Sequence, residues 1–204
     1  MTPTRHYFDK HARSFDRLYE SQGVAAHLRG GPKRSRALAA AVVARHPAPQ
    51  VLDVGCGPGR VAEAVLEAGA ARYVGIDLSA EMLALARRRV DGHAAVELVE
   101  GDFLNLDLPG TFDVVLALGL FDYLPEPRPA AAWMRARCTS TLVASFPRWD
   151  WVMAPLRHLY YSLHRCPLFE YTEAGAEEVV RGAGFSHFEF ASRGPRGFLV
   201  LARP

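Results

Sequence analysis

One stretch of ten residues, Val51-Leu52-Asp53-Val54-Gly55-Cys56-Gly57-Pro58-Gly59-Arg60, constrains the fold more than any other. Apolar residues on both sides of Asp53 read as a short buried strand. Three glycines follow at alternate positions, Pro58 stiffens the turn, and Val61 to Ala68 has the spacing of a helix. A strand that breaks through glycines into a helix start lets a ligand approach bare backbone N–H groups. The positive end of the helix dipole lies at the same place. The stretch therefore predicts a strand–turn–helix unit that receives an anionic or acceptor-rich group on the amides of Gly55 and Gly57.

Two carboxylates extend this reading. Asp77, in Tyr73-Val74-Gly75-Ile76-Asp77-Leu78-Ser79, lies about 20 residues on, the interval at which nucleotide-binding sheets place a ribose-binding acid. At the tip of a second strand it can accept from both ribose hydroxyls, and each charge-assisted bond is worth roughly 1.5–3 kcal/mol. Asp102, in Gly101-Asp102-Phe103, follows the strand-like Val96 to Val99 and can accept from an adenine amino group, with Phe103 beside the ring. The spacing G-x-G-x-G departs from the dinucleotide fingerprint G-x-G-x-x-G, which disfavours a nicotinamide-dependent oxidoreductase.

The series VLDVGCGPGR, VGIDLS, EGDF and FDVVLALGLFDYL resembles the class I S-adenosylmethionine (SAM) dependent methyltransferases over roughly residues 34–204. The resemblance implies an α/β fold, a doubly wound, mostly parallel seven-stranded Rossmann-like sheet with an N-terminal helical cap, and SAM as cofactor. It implies that Gly55, Cys56 and Gly57 line the methionine part of SAM with Asp53 beneath. Asp77, with Leu78 and Met82, would hold the ribose side. Asp102 and Phe103 would hold the adenine, and Leu118 and Gly119 the sulfonium end. A finer resemblance, to magnesium-protoporphyrin and quinone O-methyltransferases, rests on the N-terminal Tyr-Phe pattern and on Leu142 to Pro147. In the porphyrin enzymes a histidine stands about where Asp122 stands here, and a tyrosine resembling Tyr7 lies near the active site.

Composition narrows the class further. The 204 residues suit one domain, and half are hydrophobic, enough for a sizeable core. A net charge of +2 gives no footprint for nucleic acid. Cys56, Cys138 and Cys166 have neither disulfide nor zinc spacing, which fits a reducing cytoplasm. No signal-peptide pattern opens the chain, and no apolar run approaches the length of a spanning helix. No metal site and no oligomeric signal emerge.

Along the chain, residues 4–29 read as a helix with Tyr7, Phe8, Phe15, Leu18 and Tyr19 on one stripe, a cap that packs on the core or closes over cofactor and acceptor. Gly30-Gly31-Pro32 breaks it, so residues 1–33 form the cap, and Lys33 to Arg45 is again helical. Strand–helix alternation follows, with helices expected over Val61–Ala68, from Ser79 as N-cap, over Pro127–Cys138 and over Thr172–Arg181. Strands are expected at Arg72–Ile76, Val96–Val99, Phe112–Leu118, Ser140–Phe146, Ser186–Ala191 and Gly197–Ala202, the last antiparallel. Arg87, Arg88 and Arg89 read as a solvated face in preference to an RNA contact, and Arg34 and Arg36 as solvated too, with one of the two able to reach the SAM carboxylate as the alternative.

The acceptor side begins at Gly119-Leu120-Phe121-Asp122-Tyr123 and includes a helical insertion, residues 147–169. There Trp151, Leu156, Leu159, Tyr160 and Leu163 form an amphipathic pattern with three readings: a second wall of the acceptor pocket, packing on the cap, or contact with a membrane surface. Candidate catalytic groups are Asp122, Tyr7 and His158, with His164 a further base if it faces inward. The absence of an Asn-Pro-Pro-Tyr type motif argues against nucleobase and glutamine amino groups. The expected activity is methyl transfer by in-line displacement to a small, apolar or aromatic acceptor, with oxygen ahead of nitrogen or carbon. The alternatives are a non-catalytic SAM-binding partner protein and an RNA methyltransferase.

Overall fold

The computed structural model describes residues 2–20, 31–151 and 154–204. Helix α1 spans Pro3–Glu20 and α2 spans Gly31–Val43. Strand β1 (Gln50–Val54) leads through the glycine turn into α3 (Arg60–Glu67), then β2 (Arg72–Asp77), α4 (Ala80–Arg89) and β3 (Val96–Glu100). After β4 (Phe112–Ala117) come α5 (Pro127–Arg135), β5 (Cys138–Pro147), α6 (Ala154–Leu163), α7 (Glu173–Gly182), β6 (His187–Gly194) and β7 (Gly197–Arg203). The strands form one sheet in the order β3-β2-β1-β4-β5-β7-β6. Its first five strands are parallel and β7 runs antiparallel to both β5 and β6. This is the doubly wound architecture expected, and the order reverses between β1 and β4, where such sheets open a crevice at the carboxyl ends of the strands.

The period-2 alternation of a strand explains why the central strands are apolar throughout. Leu52, Val54, Val115 and Ala117 face one core with Met134 of α5 and Val180 of α7, while Val51, Val114 and Leu116 face the other with Val43 of α2, Val65 of α3 and Leu83 of α4. Ser79 caps α4 by accepting from the Met82 N–H at 3.2 Å, and Thr172 caps α7 by accepting from Gly175 at 3.0 Å. Both caps are as expected.

Several boundaries move for identifiable reasons. Helix α5 ends at Arg135 rather than Cys138, because the Arg137 carbonyl accepts from the Phe112 N–H at 2.8 Å and Cys138 already pairs with β4. Helix α2 starts at Gly31, ahead of Lys33, with Pro32 in its first turn, where the fixed φ fits and the missing N–H has no role. The expected break at Gly30 and all of the expected helix beyond Glu20 lie outside the described residues, as do the side chains of Phe15, Leu18 and Tyr19 from the expected stripe. Helix α2 packs on α3 and buries Ala39, Val42 and Val43, so it belongs to the sheet's helical layer.

Candidate active site

The glycine turn is built differently from the expectation of bare amides. The Gly55 and Cys56 N–H groups both donate to the Ile76 carbonyl, at 2.8 and 3.0 Å. The Gly57 N–H donates to Asp77 Oδ2 at 2.8 Å. These amides therefore hold the β1 turn onto the end of β2, and what the glycines supply is shape. Gly57 (φ 54°) takes a left-handed conformation, and a Cβ added there meets nothing within 4 Å, so the turn fronts open space. Gly59, at φ 77°, lets α4 approach, since a Cβ there lies 3.0 Å from Ala86.

The carboxylates sit on neighbouring strand ends. Asp77 accepts from Gly57 and, through Oδ1, from the Ser79 N–H at 2.9 Å. Burial raises its pKa, and the Ser79 and Gly57 amides oppose the rise. Asp53 is almost fully buried and accepts from the Tyr73 hydroxyl at 2.7 Å. Burial lifts its pKa to about 7 against the pull of that hydroxyl, with Asp77 adding to the lift. Asp102 caps the short turn Phe103–Asn105, accepting from the Leu104 N–H at 3.1 Å and from Asn105 Nδ2 at 2.9 Å.

The other expected neighbours of the cofactor are held as follows. The Phe103 side chain is buried in the core, edge-on to Trp133 at 5.2 Å between centroids, rather than beside a ligand ring. Met82 is buried beneath α4. The Cys56 thiol is buried and its pKa is raised by that burial. Leu118 packs partly buried on the second core, while the Gly119 N–H, next to it, donates to Ser145 Oγ of β5 at 2.7 Å. Leu78 contributes its backbone N–H to Asp77.

Helix α1 is clasped over this ground by residues the sequence did not mark. Ser79 Oγ donates to Asp9 Oδ1 at 2.7 Å. Asp16, 8% exposed, accepts from Arg60 Nε at 2.7 Å and from Arg89 at 3.2 Å. Arg89 also donates to the Pro58 carbonyl and pairs with Glu63 at 3.4 Å. The last arginine of the triple run is thus a half-buried tie between the cap, α3 and the glycine turn, which corrects the solvated reading for that residue. Arg5, next to Asp9 on the cap, pairs with Glu100 at the end of β3. The signal in the sequence was the pair of acids Asp9 and Asp16, two helical turns apart.

Beyond β4, aromatic rings from three segments meet. Tyr7 of α1 is buried, stacks on His11 at 4.6 Å and tilts against Tyr161 of α6 at 5.1 Å. The Tyr161 and Tyr123 hydroxyls are 3.0 Å apart, and Phe8 stands edge-on to Tyr123 at 5.0 Å. Asp122, in the turn Phe121–Tyr123, is paired with Arg157 of α6. Burial raises the Asp122 pKa and Arg157 opposes the rise, while burial works against the Arg157 charge and Asp122 more than restores it. Tyr7 and Asp122 thus join one cluster through Tyr161 and Arg157. His158 does not join it: its Nε2 lies 3.2 Å from Glu170 and its ring lies against Trp149 at 5.3 Å. His164 stands edge-on to His11 at 5.0 Å, its Nδ1 held by the Tyr160 carbonyl at 2.8 Å.

The expected apolar stripe of α6 faces outward. Trp151, Leu156, Leu159 and Leu163 are 86%, 62%, 59% and 74% exposed. The inward face of α6 is instead Ala154, Arg157 and Tyr161, one helical stripe. Arg157 and Tyr161, four residues apart, are the site residues sequence reasoning missed.

A sheet that reverses at β1/β4, with a glycine turn after β1 and acids ending β2 and β3, is the architecture of class I SAM-dependent methyltransferases, and the chain belongs to that family. Residues 51–139 match the methyltransferase domain family. The ubiquinone biosynthesis O-methyltransferase of Xanthomonas campestris pv. campestris is 32% identical over 183 residues, 85% of this chain and 67% of that protein. An uncharacterized transposon protein of Streptomyces fradiae is 38% identical over 111 residues, and the match spans 51% of this chain and only 32% of that relative. Magnesium protoporphyrin IX methyltransferase from Synechocystis PCC 6803, solved with bound SAH, superposes with a TM-score of 0.76 over 98% of this chain and 96% of its own. At 21% identity that likeness speaks for the fold. The residues here suit SAM as cofactor: Gly57 and Gly119, after β1 and β4, front space that a Cβ would enter freely, and Asp77 and Asp102 follow on at the ends of the next two strands.

Proposed function

We propose that this protein transfers a methyl group to an oxygen of a small apolar or aromatic acceptor, seated between α1, α6 and the turn after β4. The observation that carries this reading is the meeting of three phenols, Tyr7, Tyr123 and Tyr161, at the carboxyl end of β4. Their rings offer flat apolar walls, and their hydroxyls offer donors and acceptors to an acceptor oxygen. Bound SAM supplies a methyl carbon on a sulfonium with a neutral thioether as leaving group.

The chain's own part is alignment and exclusion of water. Asp77 is suited to receive the ribose hydroxyls through the lone pairs its amide donors leave, and Asp102 to receive an adenine amino group. Gly55, Gly57 and Gly119 give close passage for the methionine end, with Asp53 beneath. Met82 and Phe103 support these segments from the core. The Arg157–Asp122 pair fixes α6 against the β4 turn, which makes Asp122 a positioning residue rather than a free base. On this reading Tyr161, with Tyr7 buried behind it, faces the acceptor, and His158 has no part in the reaction. The similarity to an O-methyltransferase of ubiquinone biosynthesis supports oxygen as the receiving atom.

Incubation with isotopically labelled SAM and a panel of phenols, quinols and carboxylated tetrapyrroles tests the reading. Labelled ether or ester is the expected product, and Tyr161→Phe should lower kcat about tenfold, the value of one hydrogen bond to the reacting oxygen. Label found only on amines would overturn it.

A further inference from the structure

Apart from Tyr160, whose ring stands edge-on to Tyr7 at 6.5 Å, the outward face of α6 takes no part in the site. At about 100° per residue, Leu156, Leu159, Tyr160 and Leu163 share one arc of the helix. Trp149 and Trp151, edge-on to each other at 6.2 Å, extend it at the N-terminal side. All six side chains are more than two-fifths exposed. Scattered exposed leucines are ordinary, but a contiguous arc of this kind marks a contact surface.

We infer that this face seats the enzyme on an anionic lipid bilayer. The argument for that occupant is charge and residue type together. From Trp151 to Phe169 there is no Asp or Glu, with Asp150 and Glu170 flanking the segment; Arg157 is taken up by Asp122 on the inward face, so the cations of the outward face are Arg148 and Arg165. Arg148 and Arg165 are exposed at the two ends of the arc. Arginines flanking leucines, with tryptophans at the margin, match the layering of an interface, in which rings sit at headgroup depth and cations meet lipid phosphates. A second copy of the chain on this face would have to bring the same cations together. The opposite face of the same helix carries Arg157 and Tyr161 to the phenol cluster. The lipid seat would thus bring the proposed acceptor pocket to the depth at which an apolar acceptor resides.

Flotation of the full chain with vesicles, read without turnover, tests this independently of the acceptor's identity. The wild type should float with phosphatidylcholine vesicles containing phosphatidylglycerol. The variant Leu156→Gln/Leu159→Gln/Leu163→Gln should float at least tenfold less, with unchanged circular dichroism and SAM affinity. Wild-type protein that stays at the bottom of the gradient overturns the proposal, as does a variant that floats equally well. Equal flotation on phosphatidylcholine alone overturns the anionic preference. A concentration-dependent dimer that the variant abolishes, without flotation, assigns the face to self-association instead.

Discussion

Asp77 works on two fronts. Its carboxylate orders the turn by accepting from Gly57 and Ser79, and it stands at the strand end where the ribose is proposed to lie. Asp77→Ala should therefore weaken SAM binding by at least tenfold in calorimetry, and unchanged affinity would remove the ribose assignment. Asp53 makes a separate prediction. Its pKa rises from 3.8 to about 7 on folding, so the native state keeps a proton that the unfolded chain releases. The associated stability is complete below the lower value and declines as pH climbs toward the upper one, by about 4 kcal/mol in all. Melting temperatures should fall more steeply between about pH 4 and pH 7 in the wild type than in Asp53→Asn, in which the raised carboxyls of Asp77 and Asp122 remain. The motif series made both acids legible as single residues. The engagement of the neighbouring amides was not legible, because it depends on how the end of β2 docks against the turn, a long-range fact with no local signature.

At the scale of elements, α1 is the piece on which cofactor side and acceptor side both lean. Asp9 and Asp16 tie it to α4, α3 and the glycine turn, and Tyr7, Phe8 and His11 carry the aromatic wall. Removing a buried acid that serves two guanidinium groups costs about 3 kcal/mol. Asp16→Ala should accordingly speed amide hydrogen exchange in α1 well before it affects the central strands, and uniform protection in the variant would contradict the clasp. The helix was readable from its aromatic periodicity, but its partners were not. Arg89 looked like one of three interchangeable cations, and only packing separates it from Arg87 and Arg88. In α6 the periodicity was legible and its direction stayed open among three readings. A stripe of leucines identifies an amphipathic helix but not which side meets the protein, and here the polar-looking stripe of Arg157 and Tyr161 turned inward because Asp122 and Tyr123 offered it partners.

Across the whole molecule, strand order carries most of the design. The reversal between β1 and β4 gathers the glycine turn, Asp77, Asp102, Gly119 and the Asp122 turn along one edge of the sheet, although they span more than sixty residues of sequence. That gathering was legible, because alternating strands and helices admit few topologies. The three cysteines are buried far from one another in sequence, so a thiol reagent should label none of them in the native state at neutral pH, and label all three after denaturation. Among the described residues no helix is long and apolar enough to cross a membrane.

The shared use of α1 has a kinetic consequence. With SAM seated as proposed, an acceptor pressed against Tyr161, with Tyr7 behind it, holds the helix down and closes the way in and out for the nucleotide below. Turnover should then follow a compulsory order, methyl donor first to arrive and its demethylated form last to depart. Product-inhibition patterns reveal that order directly: the spent nucleotide should compete with SAM alone, and a random pattern would mean that the helix lifts without regard to what lies beneath it.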